Sequence, residues 1–236
     1  MPFALTEAQE GALAEIAADQ NAPYKMLRLL QGDVGSGKTV VALLSMLKVV
    51  EEGAQAALMA PTEILAKQHY ETISALSGSA GIRIGLLTGK LKAREKKEVY
   101  AKLAAGEIDI LVGTHALFTE DVVFKDLGYV VIDEQHRFGV NQRLSLSSKG
   151  NLCDVLVMTA TPIPRSLLLT AYGDMDYSKI GALPAGRKPS QTVVMNVKKM
   201  PDIIAALQRK LDEGARAYWV CPLVELSLIH ISEPTR

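Results

Sequence analysis

The stretch MLRLLQGDVGSGKTVVALLSML, residues 26–47, reads as a short apolar run, a glycine-rich turn and an apolar-periodic helix. Its centre, GDVGSGKT at 32–39, fits the pattern G-x-x-x-x-G-K-[ST]. The residue types explain one another. Gly32, Gly35 and Gly37 let the backbone turn tightly, so that the N–H groups of the loop, with Asp33, Val34 and Ser36 between the glycines, face phosphate oxygens. A helix opening near Lys38 adds its positive end. Lys38 is then placed to reach the β and γ phosphates of a nucleotide, and Thr39 to offer a hydroxyl to Mg²⁺. The bland alternative is a plain glycine turn. The strand before the loop and the helix after it argue against that.

Working outward, the same alternation continues. Apolar runs of four to seven residues fall at 26–31, 56–60, 82–87, 108–113, 127–133 and 154–160. Helical stretches lie at 7–20, 38–52, 63–76, 92–105 and 163–172, and Gly53 and Gly106 mark where two of them stop. Continuous apolar strands separated by helices predict an α/β fold, a parallel sheet covered on both faces. Such sheets bind ligands in the loops at the carboxyl ends of their strands. A composition break, GALPAGRKPS at 181–190, predicts a linker after a first domain of residues 1–180. A second unit is expected beyond it, with a strand at 191–197, a helix at 201–213 and a strand at 215–221.

Composition narrows the class. Among 236 residues, 26 basic side chains balance 26 acidic ones, which excludes a histone-like binder but not a local DNA groove. With 48% apolar and 22% charged residues the chain reads as globular and not disordered. No apolar run reaches the roughly 18 residues of a membrane helix, and MPFALTEAQE lacks a signal peptide's layout. Cys153 and Cys221 show no metal-ligand spacing and read as reduced, buried thiols of a cytoplasmic protein. The basic run KLKAREKKE (90–98) is either a solvated helix face or part of a DNA path.

A second chemical motif ends the run at 127–133. In VVIDEQH (130–136) two carboxylates close an apolar strand. Asp133 is placed to hold Mg²⁺, partly through water, and Glu134 to orient and deprotonate an attacking water. Phosphoryl transfer depends mainly on positioned charge, so this pair complements Lys38 and Thr39. Alone, an Asp-Glu pair would be a surface turn; the apolar run and the upstream loop reverse that reading.

GDVGSGKT is followed in order by APTEILAKQH (60–69), VGTHALF (112–118), DEQHRFGV (133–140) and MTATPIPR (158–165). The set resembles the first motor domain of superfamily-two helicases, and most closely the RecG family of bacterial branch-migrating DNA helicases, over residues 3–225. Transcription–repair coupling translocases share the TATPIPR string and are the alternative. The resemblance implies a RecA-like domain, ATP and Mg²⁺ as cofactors, and branched double-stranded DNA, at forks and Holliday junctions, as partner. A bacterial cytoplasmic monomer is expected, with single-strand-binding protein as a further partner and no membrane.

Roles follow residue by residue. Gln9, in LTEAQ, is similar to an adenine-reading glutamine; Thr6-x-x-Gln9 is equally a capping box for helix 7–20, and both can hold. Pro61, Thr62 and Glu63, and Gly113, Thr114 and His115, match two motifs that contact DNA phosphates. Thr62 also suits a helix cap. Gln135 and His136 match residues coupling the nucleotide to the domain interface. Thr159, Ala160, Thr161 and Arg165 match the motif linking hydrolysis to movement.

The chain also departs from the family. No stretch of the 236 residues corresponds to the family's wedge domain, and the second motor domain is matched only from GRKP (186–189) to AYWVCPLVE (217–225). The tail LSLIHISEPTR (226–236) reads as adapter- or vector-derived sequence. Weak Mg-ATP binding, slow hydrolysis and no unwinding are therefore expected of the 236 residues themselves. Rival readings are a small-molecule kinase or transporter ATPase, against which DEQH and TATPIPR count, and a non-enzymatic nucleotide-binding fragment.

Overall fold

A computed structural model describes residues 3–78, 81–133, 153–162, 175–181 and 192–220. The chain divides into two compact units, Met1–Arg187 and Lys188–Arg236.

The first unit is built on one sheet. Its strands are β1 (Leu27–Gly32), β2 (Gln55–Met59), β3 (Ile84–Leu87), β4 (Ile110–Gly113), β5 (Leu127–Asp133), β6 (Asp154–Thr159) and β7 (Asp176–Ile180). They lie in the order β3-β4-β2-β5-β6-β1-β7, and each neighbouring pair runs parallel. The helices are α1 (Glu7–Gln20), α2 (Lys38–Glu51), α3 (Glu63–Ser77) and α4 (Ala93–Ala105). Six strands and four helices thus fall within a few residues of the positions expected from apolar runs and glycine stops. The expected helix at 163–172 lies outside the described residues.

The burial pattern explains the near-continuous apolar strands. Adjacent residues of one strand enter opposite cores. Leu30, Leu58, Val131 and Leu156 join a cluster with Ile16, Met46 and Ile73 from α1, α2 and α3. Their neighbours Leu29, Ala57, Val130 and Val157 join a second cluster with Leu103 of α4. Both faces are covered, so alternation of apolar and polar residues would be useless here.

β7 has no counterpart among the expected strands. Only Ser178 and Ile180 of DYSKI are buried, as befits an edge strand. A polar cluster holds it in place. Arg28 Nε donates to Asp19 (2.6 Å), and its Nη1 donates to Glu15 (3.2 Å) and to Ser178 Oγ (2.8 Å). Burial works against the guanidinium charge, but the Asp19 bond and the charges of Asp19, Asp176 and Glu15 outweigh it and raise its pKa. On β2, buried Gln55 fills all its bonding capacity. Its amide donates to Leu103 O and Ile108 O, and its carbonyl accepts from the N–H groups of Lys125 and Asp126.

Cys153 is free, and burial pushes its thiol up to about 12. Only a thiolate attacks alkylating agents, and this one forms far above neutral pH. Iodoacetamide at pH 8 is expected to leave Cys153 unmodified in the folded chain and to label it in denaturant. Peptide mapping by mass spectrometry checks this; rapid native labelling would contradict the burial. Cys221 lies outside the described residues.

The second unit contains a 3₁₀ turn at Val197–Lys199 and helix α5 (Met200–Asp212). The strands expected at 191–197 and 215–221 are corrected: residues 192–196 and 215–220 form none. Strand backbone needs a partner, and Val194, Tyr218 and Val220 are 89–95% exposed. Asn196 bonds locally instead, its side chain accepting from Lys198 N at 3.0 Å. Among the described residues no helix is long and apolar enough to cross a membrane.

Candidate active site

The carboxyl ends of the strands divide into two neighbouring groups. β1, β6 and β5 carry the glycine loop, Thr159–Thr161 and Asp133. β2, β4 and β3 carry Pro61–Glu63, Gly113–His115 and Thr88–Lys90. The division falls between β2 and β5.

On the first side, β1 ends at Gly32 and the loop turns through Gly35 (φ 81°) and Gly37 (φ 87°) into α2. Those dihedrals favour glycine. Gly37 has a second constraint: a Cβ there would lie 2.2 Å from Gln9 Nε2. At Gly32 a Cβ would lie 2.4 Å from Ser36 Oγ. Lys38 Nζ donates to Gly32 O (2.7 Å) and Asp33 O (3.1 Å), which holds the ammonium against the loop. Ser36 Oγ is buried and has no hydrogen-bond partner among the described residues, so its proton is available to an incoming acceptor.

Gln9 does two things at once. It forms the capping box, with its N–H donating to Thr6 Oγ1 (3.3 Å) and its Oε1 accepting from Thr6 N (3.0 Å). Its Nε2 also donates to Ser36 O at 2.9 Å, tying α1 to the loop.

Lys38, Thr39 and Asp133 line one cleft of ≈ 410 Å³ with Val34, Gly35, Gly37, Leu65 and Ala160. An ammonium, a hydroxyl, a carboxylate and turned backbone amides suit a polyphosphate with a hard divalent cation. Among the described residues no three His, Cys, Asp or Glu side chains cluster into a metal cage. A second cleft of ≈ 250 Å³ lies at the ends of β1 and β7, lined by Gln31, Gly32, Asp33, Ala160, Pro162 and Lys179 among others. Thr159 is fully buried, and its Oγ1 accepts from Thr161 N at 3.0 Å, which shapes the turn after β6. Glu134, Gln135, His136 and Arg165 lie outside the described residues.

On the second side, Thr62 caps α3, its Oγ1 accepting from Leu65 N at 3.3 Å. Glu63 is engaged with the loop after β3: its carboxylate accepts from Lys90 N (3.1 Å) and pairs with Lys90 Nζ (3.4 Å). Thr114 is buried at the start of a 3₁₀ turn, whereas His115 is exposed. Gly113 sits where a Cβ would lie 2.4 Å from Leu87 O.

One residue joins the two sides. His69 of α3 bonds Asp133 Oδ2 through Nε2 at 2.7 Å, with both side chains 12% exposed. His69 is the last residue of APTEILAKQH, but 64 positions separate it from Asp133 and no spacing rule links them.

The family model of DEAD/DEAH box helicases matches residues 6–169. The ATP-dependent DNA helicase RecG of Streptococcus pneumoniae is 52% identical over 227 residues, covering 96% of this chain and 34% of that protein. RecG of Bacillus subtilis is 51% identical, covering 96% and 33%. The chain thus spans about a third of the length of the curated relatives it matches. A solved structure of RecG bound to a three-way DNA junction superposes with a TM-score of 0.81 at 45% identity, covering 95% of this chain and 30% of that one.

Proposed function

Because this chain belongs to the DEAD/DEAH box helicase family, we propose that it is the nucleotide-binding motor of an ATP-driven DNA translocase that remodels forks and Holliday junctions. The observation that carries this reading is the shared edge of the sheet. The phosphate loop and Asp133 stand at one group of strand ends, and Thr62, Gly113, Thr114 and His115 at the adjoining group.

In this reading Gly32–Thr39 cradle the phosphates of ATP. Lys38 neutralises charge that grows on the β and γ oxygens, and the amino end of α2 supports it. Thr39 and Asp133 would hold Mg²⁺, which supplies positive charge to the same oxygens. Glu134 orients the attacking water. Gln9 reads the adenine while holding the loop through Ser36. Thr62, Thr114 and His115 position a DNA strand by its phosphates, without reading sequence. Thr159, Ala160, Thr161 and Arg165 pass the change at the nucleotide to movement. Residues 181–190 serve as the linker to a second RecA-like unit beginning at 191. The motor acts as a bacterial cytoplasmic monomer, with single-strand-binding protein as a further partner.

The test is ATP turnover by the 236-residue chain, with and without duplex DNA and with and without Mg²⁺. Slow, strictly Mg²⁺-dependent hydrolysis that DNA accelerates is expected. Equal rates with and without DNA would remove the translocase reading and leave a nucleotide hydrolase.

A further inference from the structure

The bond between His69 and Asp133 crosses the boundary between β2 and β5, where the two groups of strand ends meet. We propose that His69 is a positioning residue that fixes the Asp133 carboxylate and makes α3 the link between that carboxylate and the DNA-facing loop at Thr62. This rests on the nucleotide and DNA assignments above.

Three observations carry it. First, the bond is short and largely shielded, at 2.7 Å with each side chain 12% exposed. A carboxylate oxygen accepts, so this pairing takes the tautomer that carries the proton on His69 Nε2. With Oδ2 held in this way, the other oxygen, Oδ1, remains for a cation or its water. Second, α3 has anchors besides this bond. α3 is already anchored by Ala66 and Ile73, both fully buried, and capped by Thr62. Third, His69 and Thr62 belong to one rigid element. His69 is seven residues beyond the cap, which is about 10 Å along the helix axis. A displacement of the amino end of α3 therefore reaches the ring, and through it the carboxylate.

The test compares wild type, His69→Ala and His69→Gln in the full 236-residue chain. Binding of a fluorescent ATP analogue is measured while Mg²⁺ is titrated, and again in chelator. Supporting partners of metal ligands are commonly worth tenfold or more in metal affinity, so His69→Ala should raise the half-saturating Mg²⁺ about tenfold. Binding in chelator should be unchanged. His69→Gln, which keeps an N–H donor, should recover most of the loss. The ratio of ATP turnover with and without duplex DNA should fall towards one in His69→Ala. Thermal unfolding should shift little in either variant.

An unaltered Mg²⁺ midpoint in His69→Ala would overturn the positioning role. An unaltered DNA ratio would overturn the link through α3. Equal losses with and without Mg²⁺ would show general damage to the site and overturn both. Absence of Mg²⁺-dependent binding in wild type would instead defeat the nucleotide assignment itself, a different failure. If His69→Ala does not fold, the bond is structural and the proposal falls.

Discussion

Lys38→Ala abolishes Mg-ATP binding and leaves the chain folded: that is the expected result, read by calorimetry and by thermal unfolding. Lys38 is the first residue of α2 and lines the cleft that Asp133 also lines. Its ammonium is held by Gly32 O and Asp33 O, so it is already placed where phosphate charge would arrive. Charge-assisted hydrogen bonds contribute about 1.5–3 kcal/mol each, so losing two to phosphate weakens binding by roughly 100-fold or more. The cost to folding is small by comparison. Gly32 is the buried last residue of β1, whereas Asp33 is exposed in the loop that follows. Substitutions away from a core usually stay within about 0.5 kcal/mol. Unchanged ATP affinity would sink the phosphate-loop assignment.

Gly113→Ala is expected to destabilise the first unit strongly, although it adds only one carbon. The new Cβ would lie 2.4 Å from the backbone oxygen of Leu87 and 2.9 Å from Leu117 Cδ2. The Leu87 contact cannot be relieved by a side-chain rotation, because Leu87 pairs with Gly113 across the β3–β4 ladder. On its other side Gly113 O accepts from Ala60 N at 2.8 Å. The strand is therefore held from both sides and must shift as a whole. Overpacking costs about 1–3 kcal/mol and occasionally more, which for a unit of this size lowers the melting temperature by roughly 2–4 °C per kcal/mol. A folded variant would also carry displaced Thr114 and His115, so DNA acceleration of ATP turnover should fall while Mg-ATP affinity holds. A melting temperature equal to wild type would show that the strand end yields more easily than this packing allows.

Gly113 shows how differently two routes can reach one residue. By resemblance it belongs to a strand-contacting motif. The structure adds a steric reason for glycine that no motif supplies. Gln9 is the converse: its capping box is written in Thr6-x-x-Gln9, while its bond to Ser36 O, 27 residues away, is visible only in the folded chain.

Local patterns sufficed for much of this protein. Buried parallel strands read as apolar runs, helix stops as Gly53 and Gly106, and the phosphate loop as glycines before Lys38 and Thr39, because each is governed by neighbours in the chain. Three features needed the tertiary structure. β7 buries only two of its five residues, too few for an apolar run, and is defined by pairing with β1 and by Arg28. The apolar stretches at 192–196 and 215–220 looked like strands, but a strand exists only where another backbone accepts its hydrogen bonds. The meeting of His69 with Asp133 depends on β2 and β5 lying side by side, a strand order that no stretch of sequence states. Periodicity and spacing report what a residue does within a few positions of itself; which distant carboxylate faces which ring is decided by how the layers pack.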